Sequence, residues 1–93
     1  MPMVKWSAEA LRDVGRLHAF LKPHSAVAAS KAVGAIRTAA GFLGENPGAG
    51  RPMNDERREW FARFGAGAYV LRYRLTPAGE VFILRVWHTR ELR

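Results

Sequence analysis

The chain has 93 residues, enough for one small domain with its own core, and its 48% apolar and 25% charged content is that of an ordinary folded globule. It contains no cysteine, which excludes disulfides and thiolate metal sites, and no apolar run approaches the length of a membrane span. Fifteen Lys and Arg against eight acids give a net charge of +7, and twelve of the fifteen are arginine. Arginine presents a planar fork suited to phosphate and carboxylate, so an anionic partner is expected: nucleic acid, an acidic protein, or both.

In chain order, Met3 to Trp6 reads as a short opening strand. The N-terminal MPMVKWSAEA lacks the apolar region of a secretion signal, so a cytoplasmic protein is expected. Ser7 is placed to cap a helix, with Glu9 in its first turn. Leu11, Val14, Leu17 or His18, and Leu21 recur at helical spacing and predict a helix from about Ala8 to Leu21. Pro23 interrupts it and Ser25 can cap a second helix, whose stripe is Ala29, Val33, Ile36, Ala40 and Leu43. So short a link predicts an antiparallel helical hairpin. The turn-rich GENPGAGRP of Gly44–Pro52 leads into the sheet. Met53 to Glu59 has no clear pattern, Trp60 to Phe64 reads as a strand, and Gly65 to Gly67 as a tight link.

From Ala68 onward, AYVLRYRL and EVFILRVWHTRELR flank the turn Thr76-Pro77-Ala78-Gly79. Closed as a hairpin, Leu75 faces Glu80, and Tyr73, Leu71 and Tyr69 lie opposite Phe82, Leu84 and Val86. These six form the core face. The other face carries Val70, Arg72, Arg74, Val81, Ile83, Arg85 and Trp87, because strand side chains alternate. The predicted fold is α+β, with the helical hairpin packed on one face of a small, mostly antiparallel sheet, in a single domain spanning 1–93.

Two constellations could carry function. His88 stands where the last strand runs out, near arginines that could stabilise a charged transition state. The alternative is a strand-end histidine bonded to backbone or water. The second constellation is Arg72, Arg74 and Arg85 on the open face, with Arg57, Arg58, Arg63 and Arg90 nearby in sequence. Trp87, Ile83 and Val81 share that face, and apolar residues among arginines mark a contact surface rather than a merely solvated one. His18 and His24 lack metal-ligand spacing, and no phosphate loop or nucleotide fingerprint is present, so neither a metal nor a cofactor is expected.

Several segments, in order, resemble the RelE/ParE superfamily of bacterial type II toxins. They are Trp6-Ser7 with Ala10, Asn46-Pro47 followed by Gly50-Arg51-Pro52, Tyr69 through Arg74, and Val81 through His88 with Arg90. The resemblance spans almost the whole chain and implies a β-α-α-β-β-β fold. It also implies a cognate antitoxin, which charge complementarity predicts to be acidic where it meets Arg72, Arg74 and Arg85 and amphipathic where it crosses the helices. RelE-like members are ribosome-dependent endoribonucleases that cut messenger RNA, whereas ParE-like members poison DNA gyrase. RelE-like enzymes place a basic residue after the tyrosine matching Tyr69, where this chain has Val70. They carry basic residues along the strand matching Trp60 to Phe64, where only Arg63 remains. The functional aromatic that many have at the end of the final strand has no counterpart after Trp87. His88 and Arg90 do match positions near the nuclease site, and with Arg85 they would be its catalytic groups. The ParE-like branch is the better match, a gyrase inhibitor that is not an enzyme. A ribosome-dependent nuclease is the alternative, and a general nucleic-acid-binding module the third reading.

Overall fold

The computed structural model describes residues 3–91. Strand β1 (Val4–Trp6) leads into helices α1 (Ala8–Leu21) and α2 (Ala26–Glu45), followed by β2 (Arg51–Pro52), β3 (Arg58–Phe64), β4 (Gly67–Leu75) and β5 (Val81–His88). The sheet order is β1-β5-β4-β3-β2, with β1 parallel to β5 and every other pair antiparallel. The two expected caps are present. Ser7 Oγ accepts from Ala10 N, and Ser25 Oγ accepts from Ala28 N, each relieving an orphan donor of the first helical turn.

Both helices lie on one face of the sheet. Ala10, Leu17, Ala32, Ile36, Ala40 and Leu43 meet Tyr69, Leu71, Tyr73, Val81, Ile83 and Val86 in one core. Alanine at so many α2 positions lets that helix approach closely. Leu11, expected on the α1 stripe, is 58% exposed, and Asp13 takes a core-facing place. Strand β3 begins at Arg58 rather than Trp60, because Arg51 and Pro52 pair with Glu59 and Arg58 as a two-residue edge strand.

The β4–β5 register differs from the expected one, for a reason lying in the turn. Thr76 N donates to Glu80 O, Glu80 N donates to Thr76 Oγ1, and Gly79 takes a left-handed φ of 82°. The loop is therefore Pro77-Ala78-Gly79, one residue shorter than expected, and Thr76 rather than Leu75 faces Glu80. A one-residue slip turns side chains over. Val81 and Ile83 accordingly point into the core, opposite Leu75 and Tyr73, while Phe82 lies on the open face opposite Arg74. A bulge then corrects the phase: Tyr73 pairs with Ile83 and Arg72 with Arg85, leaving Leu84 as the extra residue. Beyond it Val86 is buried and Trp87 is on the open face, as expected.

Strand β1 covers β5 only over Val81–Ile83, so the edge from Leu84 onward needs another partner. Helix α1 supplies it with side chains. Ser7 Oγ donates to Leu84 O, Asp13 Oδ2 accepts from Val86 N, and Arg16 Nη2 donates to Val86 O. The cap of α1 and two polar residues within it thus stand in for a missing strand, satisfying buried and half-buried backbone groups that would otherwise be costly.

Candidate functional site

The face of the sheet away from the helices carries rows of arginine and aromatic side chains. Phe61, Val70 and Trp87 lie side by side across β3, β4 and β5. Val70 is buried although it points away from the helices, because its neighbours in this row cover it. In the next row Arg72 donates through Nε and Nη2 to Glu59 Oε2, at 2.9 and 2.7 Å. Its guanidinium carbon also lies 4.9 Å from the Trp87 ring centroid. Arg51 reaches Glu59 at 3.5 Å and stands 5.4 Å over Phe61, and Arg74 stands 5.0 Å over Phe82. Each of these three guanidinium groups thus lies over an aromatic ring, where cation–π attraction holds it against the sheet.

The expected trio of free arginines is not what folds. Arg72 is tied to Glu59, which is only 8% exposed. Arg85 leaves the open face altogether. Its Nε donates to Asp13 Oδ2 at 2.8 Å and its Nη2 to Asp13 Oδ1 at 3.2 Å. The bulge at Leu84–Arg85 and the proximity of α1 to the β5 edge turn it that way. Asp13 holds the Arg85 guanidinium above its ordinary pKa, a mark of a structural pair. Arg74 is the one member of the trio without a carboxylate partner among the described residues. The face remains cationic, since Arg51, Arg63, Arg72 and Arg74 share it with the carboxylates of Glu59, held by Arg72 and Arg51, and Glu80, held by Lys5. Arg74→Glu is therefore expected to weaken binding of an anionic partner by about tenfold or more with no loss of thermal stability, measured by titration calorimetry and by melting.

The remaining candidates have distinct positions. Arg57 binds Asp55, and Arg58 donates to the carbonyls of Gly48 and Gly50, tying down the loop before β2. Arg63 and Arg90 are exposed and make no ion pair among the described residues. His88 is occupied at both ring nitrogens: Nε2 lies 3.1 Å from Phe64 O and Nδ1 accepts from Arg90 N at 3.2 Å. The ring packs edge-on against Tyr69, with centroids 4.9 Å apart. Gly67 passes so close to His88 and Thr89 that a Cβ there would collide with both. His88 is thus a joint between β3, β4 and the chain after β5. No group of three or more His, Asp or Glu side chains able to hold a metal occurs among the described residues.

Asp13 and Glu59, which organise the arginines, are not evident as site residues in the sequence. The signal for Asp13 is an acid falling between Ala10 and Leu17 at core-facing helical spacing. Glu59 has no such mark, because it lies where the strand pattern is not yet visible.

On the opposite side, Val4, Trp6, Leu11, Val14, Ile36, Ala40 and Gly41 line an open groove of about 360 Å³ along the helical hairpin, with Arg37 at its rim. No helix among the described residues is long and apolar enough to cross a membrane.

Comparison with known proteins agrees with this architecture. The chain is similar to Toxin RelE3 of Caulobacter vibrioides, 34% identical over 93 residues and the full length of both chains. It is also similar to Toxin RelE1 of the same organism, 37% identical over 87 residues, covering 94% of this chain and 92% of that one. A solved structure described as the chromosomal ParDE TA system from P. aeruginosa superposes with a TM-score of 0.78 at 25% identity, covering 95% of this chain and 96% of the other. The fold and these matches define the toxin component of a type II toxin–antitoxin system. Residues 4–93 match the family described as ParE toxin of type II toxin-antitoxin system, parDE, and the chain belongs to that family. Membership implies an antitoxin partner.

Proposed function

We propose that this toxin acts by binding DNA gyrase, as ParE-like members of the superfamily do, and that its antitoxin silences it by covering the helical hairpin and part of the sheet. The observation that carries this reading is the commitment of the nuclease-like groups to the fold. A general base needs a ring nitrogen free to take a proton from the attacking hydroxyl. His88 directs Nε2 at the Phe64 carbonyl and accepts the Arg90 N–H at Nδ1, so neither nitrogen is free. Arg85, the second nuclease candidate, is held by Asp13. Val70, in the position where a nuclease of the superfamily is basic, is buried. The stacked arginine–aromatic face is instead suited to docking on a large surface, where Trp and Arg contribute much of the binding energy.

A second reading, ribosome-dependent cleavage of messenger RNA by His88, Arg85 and Arg90, is favoured by the names of the two Caulobacter relatives. The two readings separate in cells. With a binding mechanism, His88→Gln toxin that remains folded still arrests growth, and messenger in arrested cells stays intact by primer extension. Cleavage within codons, abolished by the same substitution, would establish the nuclease instead. The general nucleic-acid-binding module gives way to the family assignment.

For the antitoxin, an amphipathic segment fits the groove between α1 and α2, with an acidic residue placed to meet Arg37. Acidic residues would face Arg51, Arg63 and Arg74 where it crosses the sheet. Arg72 and Arg85 are already neutralised and would contribute less.

A further inference from the structure

Strand β3 borders the sheet, and its neighbour β2 pairs only with Arg58 and Glu59. From Trp60 to Phe64 the outer edge carries no strand among the described residues. The phase of the ladder shows which groups are exposed there. Arg57 O accepts from Met53 N on the β2 side, whereas Phe64 pairs with Gly67 and its carbonyl accepts from His88 on the β4 side. Backbone groups alternate along a strand, so odd-numbered residues of β3 direct N–H and C=O outward. The N–H and C=O groups of Phe61 and Arg63 therefore have no partner among the described residues.

Exposed edges are normally blunted by lysine, proline or a covering loop. This one is flanked by aromatic side chains on both faces. Phe61, 45% exposed, stands on the arginine face, and Phe42, 42% exposed and stacked on Trp60 at 4.9 Å, stands on the helix face.

We propose that this edge pairs with the same edge of a second copy of the chain, antiparallel about a two-fold axis at Ala62, joining two five-stranded sheets into one. The register follows from the available residues. Only Trp60–Phe64 is uncovered, and a two-fold pairing confined to it sets Ala62 opposite Ala62, Phe61 opposite Arg63, and Trp60 opposite Phe64 of the other copy. Phe61 and Arg63 then form hydrogen-bonded pairs, so all four outward backbone groups in each copy find partners. The side chains are complementary in that same register. Arg63 meets a phenyl ring twice on one face, Trp60 meets Phe64 twice on the other, and the smallest residue lies on the axis, where the backbones are closest. A register centred on Phe61 would need Glu59, whose edge β2 already occupies.

The test uses the absence of cysteine from the chain. Ala62→Cys places two thiols at a non-hydrogen-bonded antiparallel pair, where Cα atoms lie about 4.5 Å apart, within disulfide reach. Purified folded Ala62→Cys toxin should become a covalent dimer under mild oxidation with oxidised glutathione. Val27→Cys, on the exposed surface of α2, should cross-link at least about tenfold more slowly if geometry rather than collision decides. Phe61→Arg sets arginine against Arg63 at two symmetric places and should weaken self-association about tenfold or more in sedimentation, while Phe61→Glu preserves it. A free toxin that is monomeric at micromolar concentration, or Ala62→Cys cross-linking no faster than Val27→Cys, would overturn the proposal. So would Phe61 and Arg63 amides that become protected from hydrogen exchange only when antitoxin is added, which would assign the edge to an antitoxin strand.

Discussion

Asp13→Ala should destabilise the toxin by about 2–4 kcal/mol, read as a lower denaturant midpoint with an unchanged slope. The substitution leaves the Val86 N–H and the Arg85 and Arg16 guanidinium groups without their shared acceptor. Part of the loss is recovered because Arg85 and Arg16 are more than a third exposed and can rehydrate. For a domain whose total stability is about 5–15 kcal/mol this is a large fraction, and the β5 edge should open first in hydrogen exchange. Asp13→Asn keeps an acceptor for Val86 and should cost less. Burial alone would raise the Asp13 pKa; Arg85, the Val86 N–H and Arg16 outweigh it and hold the carboxyl below its ordinary value of 3.8. A carboxyl with a lowered folded pKa contributes fully above the unfolded value and less as pH falls through the folded one. The wild-type should therefore lose this increment only below about pH 4, and Asp13→Ala should show a flatter stability profile there.

Tyr73→Ala should cost about 3–5 kcal/mol, since it empties the centre of the core and releases a loop as well. The Tyr73 hydroxyl donates to Pro47 O and accepts from Gly50 N, each at 2.8 Å. Gly50 must be glycine, because a Cβ would lie 2.5 Å from that hydroxyl. Burial accordingly raises the phenol pKa. Tyr73→Phe should cost about 1–3 kcal/mol by leaving the Gly50 donor unsatisfied. Gly50→Ala should also destabilise, because its Cβ would press on the ring carbons as well as the hydroxyl, and the double variant should cost less than the sum, because both changes sacrifice the same Gly50–Tyr73 hydrogen bond and removing the hydroxyl relieves part of the clash. Thermal and denaturant unfolding of the three proteins measures this coupling. The Asn46-Pro47 and Gly50-Arg51-Pro52 motifs thereby acquire a structural meaning: they fasten the end of α2 to the sheet.

The helices and the architecture were legible because their signals are local. Ser7 and Ser25 cap where serines before apolar-periodic segments should cap, and Pro23 separates the helices. The register was not legible, because it depends on whether Thr76-Pro77-Ala78-Gly79 closes with four residues or three, and Gly79 decides that through a single backbone angle. The bulge at Leu84 answers a tertiary demand: it restores the inward phase of Val86 after the turn has shifted it. The arginine face was half legible. Alternation placed Arg72, Arg74 and Trp87 correctly, but only folding brings Glu59 to Arg72 and Asp13 to Arg85, across separations of 13 and 72 residues. His88 shows the same limit. Its sequence context fits a catalytic base or a strand-end joint, and only the fold shows the two hydrogen bonds that its ring makes.

The most direct measurement of the proposed action is DNA supercoiling by purified gyrase in the presence of the purified toxin. The account predicts that stoichiometric toxin halts supercoiling, that equimolar antitoxin restores it, and that His88→Gln toxin inhibits as well as the wild-type. Unimpaired supercoiling at excess toxin, alongside messenger cleavage in a translating extract, would contradict it.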